Sequence, residues 1–146
     1  MNRPQGTDTG RRLAFHGALL FLMTMAYGGA VSSMMTGMVP GHPHVALSAH
    51  LTGLMGALWV WGVGWSLPYG QFSELQTKLV FWGTVVPSYT NFVVGAAKAH
   101  TDVMAVTFSG DMANNILFMG RLFGVVIPGL IGAAVLVWGL RRANPS

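Results

Sequence analysis

The sequence predicts an all-α protein, a bundle of four transmembrane helices with both ends of the chain on the cytoplasmic side. Three observations predict it. Only 8% of the 146 residues are charged while 52% are apolar, and the mean hydropathy is +0.52, whereas a soluble domain carries about 25% charged residues and could not solvate such a surface. The apolar residues gather into four runs, each reaching or approaching the ~20 residues that cross a ~30 Å hydrocarbon core. Finally, Lys and Arg fall mainly at the chain ends, flanking those runs, where the positive-inside rule puts them.

The elements follow in order. Residues 1–12 form a basic cytoplasmic tail, 13–142 a single transmembrane domain, and 143–146 a short C-terminal tail. The first run extends from Leu13 to about Thr36, and Val39-Pro40-Gly41 with Pro43 breaks the chain after it. Its length, and the three runs that follow, argue against a cleaved signal peptide. The second run is Leu47 to Leu67, closed by Leu67-Pro68-Tyr69-Gly70, with Trp61, Trp65 and Tyr69 placed to form an interfacial aromatic belt. The third run is Leu79 to Ala97, followed by Lys98 and a polar stretch from Ala99 to Asn115; the fourth is Ile116 to Leu140. Arg3, Arg11, Arg12, Lys78, Arg141 and Arg142 then share one side, and the other side keeps only Lys98, offset by Asp102 and Asp111. A pI near 10.1 here reflects topology, so no nucleic-acid partner is expected. With no cysteine there is neither a disulfide framework nor a thiolate nucleophile or metal ligand.

Polar residues inside such spans are the costly ones, and so the informative ones. With the midplane near Met25, Ala57, Val86 and Pro128, the outer half of the bundle collects Tyr27, Ser32 and Ser33 from the first run, His50 from the second, Tyr89 and Asn91 from the third, and Arg121 from the fourth, with Asn114 and Asn115 at its mouth. The bias toward one layer predicts a small polar cavity opening to the outer leaflet. Each member also has a plainer role: interhelical hydrogen bonding for Tyr89 and Asn91, and snorkelling to headgroups for Arg121. Asp102, Asp111, His42, His44 and His100 read as solvated loop residues. Gly120 and Gly124, continued by Gly129 and Gly132, read as a close-packing stripe.

His50 is followed on its own helical face by Gly53 and Ala57. Small residues beside an imidazole leave a shelf that suits a planar group such as a porphyrin; tight helix packing asks for the same residues. A bis-histidine haem is excluded within one chain. The other histidine inside a span, His16, lies roughly 24 Å away along the membrane normal at 1.5 Å per residue. A haem here would have His50 alone and keep an open coordination position, which favours binding or Lewis-acid chemistry over electron transfer.

The segment Ala46-Leu47-Ser48-Ala49-His50-Leu51-Thr52-Gly53-Leu54-Met55-Gly56 resembles the second helix of the hydroxylaminobenzene mutase and styrene oxide isomerase family. Ser88-Tyr89-Thr90-Asn91-Phe92 resembles its third, and His16-Gly17 in the first run agrees as well. The resemblance runs from about Arg12 to Arg142. It implies a membrane-embedded isomerase, a homotrimer with ferric haem b between neighbouring protomers, and His50 as the iron ligand. Iron acting as a Lewis acid would open an aryl epoxide to an aldehyde, or help an arylhydroxylamine rearrange to an aminophenol. The expected site is then His50, Gly53, Ala57 and Arg121 toward the cofactor, Arg121 through a propionate, with Tyr89 and Asn91 orienting a small aromatic substrate. A bacterial inner membrane is the expected location.

The sequence departs from that family's pattern at three places. Gly56 stands where the family has Asn, Pro87 or Ser88 where the epoxide branch has an acid, and Gly95 where that branch has Tyr. The substrate stays open between the two branches, and the rival reading is a non-enzymatic haem-binding or structural subunit of a larger complex.

Overall fold

The computed structural model describes residues 5–101, 103 and 105–142; Arg3, Asp102 and the 143–146 tail lie outside the described residues. The described chain is entirely helical, with four helices long and apolar enough to cross a membrane. Helix α1 is Gln5–Met35, α2 Pro43–Ser66 and α3 Glu74–Ala99; the fourth span is built from α4, Met112–Arg121, and α5, Ile127–Arg141. Large apolar side chains cover the outside, with Trp65, Met55 and Leu130 exposed at 77%, 71% and 67%. Apolar surface on that scale needs lipid around it, and the chain is a multi-pass membrane protein.

Every helix outruns its apolar run because local chemistry sets its ends. Ser73 caps α3 in a capping box: its hydroxyl accepts from the Gln76 N–H at 3.3 Å, and its own N–H donates to the Gln76 side chain at 2.9 Å. Asp111 caps α4 by accepting from the Ala113 N–H at 2.9 Å. Pro43 opens α2, where a missing N–H costs nothing. The fourth span is interrupted by a π-helical turn at Leu122–Val126. Pro128 explains it: lacking an N–H, proline cannot donate to the carbonyl four residues back, and the Ile127 N–H instead reaches the Leu122 carbonyl.

The helices pack in a row, α1 on α2, α2 on α3 and α3 on α5, so that the fourth span meets mainly α3. One core joins Leu13, Val60, Val80, Phe81, Val85 and Leu136 at the end near the chain termini. A second joins Val31, Met34, Ala46 and Ala99 at the opposite, distal end. Glycines set the closest approaches. A Cβ on Gly83 would lie 2.6 Å from the Gly132 Cα and 2.7 Å from the Pro128 carbonyl oxygen, both backbone, and one on Gly124 would lie 2.6 Å from Thr90. The glycine stripe of the fourth span therefore packs against α3 within the bundle. Trp61 is also a packing residue. Its Nε1–H donates to the Ala14 carbonyl at 2.8 Å and its ring stacks on Phe21, which leaves Trp65 and Tyr69 as the exposed members of the expected aromatic belt.

Candidate functional site

The polar residues of the distal half do not form one cavity. They divide between two faces of α2, because neighbours two apart on a helix point about 200° apart. His50 faces α1. Its Nδ1 lies 2.9 Å from the Thr24 carbonyl oxygen, and its Cε1 is 3.3 Å from where a Gly28 Cβ would be. A carbonyl only accepts, so Nδ1 carries the proton and the lone pair is left on Nε2. Nε2 makes no hydrogen bond among the described residues. The Thr24 hydroxyl does not compete for the imidazole, since it donates to the Leu20 carbonyl at 2.7 Å.

The expected shelf beside His50 is filled by protein. A Cβ on Gly53 would lie 2.8 Å from Phe92 Cδ2 and 2.9 Å from Thr24 Cγ2. Ala57 is fully buried against Leu20 and Phe92. Gly53 and Ala57 serve helix packing, and a planar group beside His50 cannot lie over them inside the bundle.

Asn91 faces the other way. It lines a partly open cavity of about 90 Å³ with Ser48, Thr52, Gly95, Lys98 and Arg121. It also lines an apolar groove of about 410 Å³ with Thr52, Gly56, Trp59, Pro87 and Val125, between α2, α3 and the fourth span. Its amide makes no hydrogen bond among the described residues. Lys98, which sequence reasoning counted only as a loop charge, belongs here because it stands two helical turns from Asn91 on the same face. That spacing was readable.

Tyr89 does not join Asn91. Its hydroxyl donates to the His16 carbonyl at 3.1 Å, toward the terminal end, and its ring packs edge-on against the His16 ring at 6.0 Å. We expect Tyr89→Phe to cost about 1 kcal/mol of stability, the worth of one hydrogen bond, and to leave activity within about twofold; thermal denaturation beside an activity assay checks both. Asn114 and Asn115 likewise do not line the Asn91 cavity; Asn115 lines a separate open groove with Met112, Ile116 and Met119. They staple the loop before α4: Asn114 accepts from the Ala105 N–H at 2.9 Å and donates to the Thr107 carbonyl at 2.6 Å, and Asn115 pairs with the Ser109 N–H and carbonyl. Ser33 donates to the Gly29 carbonyl, and the Tyr27 hydroxyl is buried with no hydrogen-bond partner among the described residues. Neither Tyr27 nor Ser33 lines the Asn91 cavity.

Among the described residues no three His, Cys, Asp or Glu side chains converge into a metal-ion site. The bundle thus offers one pre-oriented imidazole on one face, and an unpaired amide beside two cations on another.

The family model described as styrene oxide isomerase matches residues 9–141. The chain belongs to the styrene oxide isomerase family. Hydroxylaminobenzene mutase HabB of Ectopseudomonas oleovorans is a relative, 26% identical over 140 residues that cover 91% of this chain and 82% of that protein. No solved structure matches the chain. Both names are those of isomerases, and they support an isomerase. Against that family the two glycine departures acquire local reasons. A Cβ on Gly95 would lie 2.9 Å from the Ala49 Cβ, so the α2–α3 approach excludes a tyrosine there. A Cβ on Gly56 would meet Ser88 at 3.3 Å and Leu20 at 3.4 Å; the missing side chain enlarges the groove beside Asn91.

Proposed function

We propose that the protein is a membrane-embedded isomerase that rearranges a small aromatic substrate within one molecule, using ferric haem b held by His50. The observation that carries the haem is the His50 imidazole itself. Its Nδ1–H is fixed by a backbone carbonyl, the arrangement that orients histidine ligands and raises their basicity, and its Nε2 is left as a donor. A porphyrin brings four of its own nitrogens, so one protein ligand suffices where no multi-residue metal site is built. When bound, ferric iron with an open position supplies Lewis acidity toward a substrate oxygen.

Because Gly53 and Ala57 are packed, the cofactor would lie outside the single bundle, along the α1–α2 face, which places it at a seam between copies of the chain. A homo-oligomer, trimeric by the family resemblance, follows from this reading. Asn91 of a neighbouring copy would then approach the reacting oxygen and hold it by an amide N–H. Nothing else among the described residues hydrogen-bonds that amide, and the apolar groove beside it suits an aromatic ring. Tyr89, with its hydroxyl already engaged, has no part in this. A bilayer location, the bacterial inner membrane by expectation, brings lipophilic substrates to the groove directly.

The substrate is an arylhydroxylamine giving an aminophenol, or an aryl epoxide giving an aldehyde; the first is favoured by the name of the HabB relative. Purified protein incubated with phenylhydroxylamine and with styrene oxide, with no reductant, tests the activity. Conversion of either supports an isomerase, and conversion of neither by haem-loaded protein leaves only a binding or structural subunit. Asn91→Leu is expected to lower kcat roughly a hundredfold, as loss of one oriented donor to a reacting oxygen does, with the haem absorption spectrum unchanged.

A further inference from the structure

The small, partly open cavity beside Asn91, with Ser48 and Arg121 exposed at its rim, contains more donors than the proposed reaction uses. Lys98 of α3 and Arg121 of α4 both line it, and neither forms an ion pair or hydrogen bond among the described residues. Two like charges facing one space within a membrane-spanning bundle repel each other, and low dielectric strengthens that repulsion. Ser48 and Thr52, one turn apart on α2, complete the lining. In this chain Thr24, Ser33 and Ser88 donate their hydroxyl protons to the carbonyl four residues back. Ser48 and Thr52 make no such bond, so their protons remain available to a ligand. Three helices thus aim donors at one space, and no carboxylate lines it.

We infer that Lys98 and Arg121 clamp an oxyanion, a carboxylate or a phosphate, in this cavity, with Ser48 and Thr52 as neutral donors. At about 90 Å³ the space takes such a head group and not a whole ligand, for which pockets of about 300 Å³ and more are usual. The rest of the molecule carrying the anion lies outside, along the groove or the lipid. Two sources share this chemistry: a propionate of the haem held by a neighbouring copy, which rests on the function proposed above, and the phosphate of an anionic lipid, which does not.

The experiment uses the full-length protein and the double variant Lys98→Met/Arg121→Gln, with Ser48→Ala/Thr52→Val as a milder second variant. Apoprotein is titrated with haem and with haem dimethyl ester, whose propionates carry no charge, and followed by the Soret band. In parallel, protein purified from phosphatidylglycerol-containing nanodiscs is extracted, and the retained lipid is measured against phosphatidylcholine controls. The propionate source gives wild-type protein about tenfold or greater preference for haem over the ester, in keeping with charge-assisted hydrogen bonds; the double variant loses it and the hydroxyl variant weakens it a few-fold. The lipid source gives no such preference, but phosphatidylglycerol is retained by wild type and lost from the double variant. Variants that melt like wild type and match it in both readouts overturn the clamp. If no haem binds at all, the haem reading fails while the lipid readout still decides the clamp.

Discussion

His50→Ala is expected to abolish the Soret band of the purified protein and to lower turnover at least a hundredfold, with the fold intact. The fold survives because the imidazole contributes one side-chain hydrogen bond, to the Thr24 carbonyl, and an alanine leaves that carbonyl its ordinary helical partner. The cost is about 1 kcal/mol. The haem does not survive, because the imidazole that would hold it is gone, while His16 lies at the terminal end with its ring against Phe81 and Tyr89 and His100 packs edge-on against Tyr27. Imidazole added to the variant should restore the band in part. A full Soret band in His50→Ala would place the ligand elsewhere.

Gly83→Val is expected to give the largest loss of stability of any single substitution on α3. The added Cβ would meet the Gly132 Cα at 2.6 Å and the Pro128 carbonyl oxygen at 2.7 Å. Neither is the movable tip of a side chain, so α5 would have to move bodily away from α3. Overpacking of this kind costs about 3 kcal/mol, and here it separates the only helix on which the fourth span mainly rests. Gly29→Val, which meets nothing within 4 Å, should melt within a degree or two of wild type. Equal melting temperatures for the two variants would contradict the packing described.

How much of this was legible beforehand depends on which physical signal each feature leaves in a sequence. The four spans were legible because hydropathy alone forces them. Their ends were not, because Ser73 and Asp111 extend α3 and the fourth span by capping through residues that hydropathy scores as loop. The π turn was hidden because Pro128 determines where a hydrogen bond fails but not how the chain repairs it. His50 and Asn91 stood out as polar groups in apolar helices. Their assignment to one cavity was mistaken, since the row-like packing that separates the two faces of α2 depends on contacts such as Gly53 with Thr24 and Gly95 with Ala49 that no single helix reveals. Tyr89 and Asn91 were grouped by depth in the membrane, although residues two apart on a helix point in nearly opposite directions. Ser48 with Thr52, and Asn91 with Lys98, share helical faces, and that periodicity was there to be read.

The central claim is that this chain rearranges its substrate within one molecule, by an oxygen shift in an arylhydroxylamine or a hydrogen shift in an epoxide, with no net oxidation or reduction and no oxygen taken from water. The product formed from phenylhydroxylamine in oxygen-18 water, and from styrene oxide beside it, without dioxygen or reductant, tests it most directly. The account predicts an aminophenol of the same mass as its substrate, or from styrene oxide an aldehyde and no diol, formed by wild-type protein and not by His50→Ala. An aminophenol two mass units heavier, or a diol from the epoxide, would contradict it.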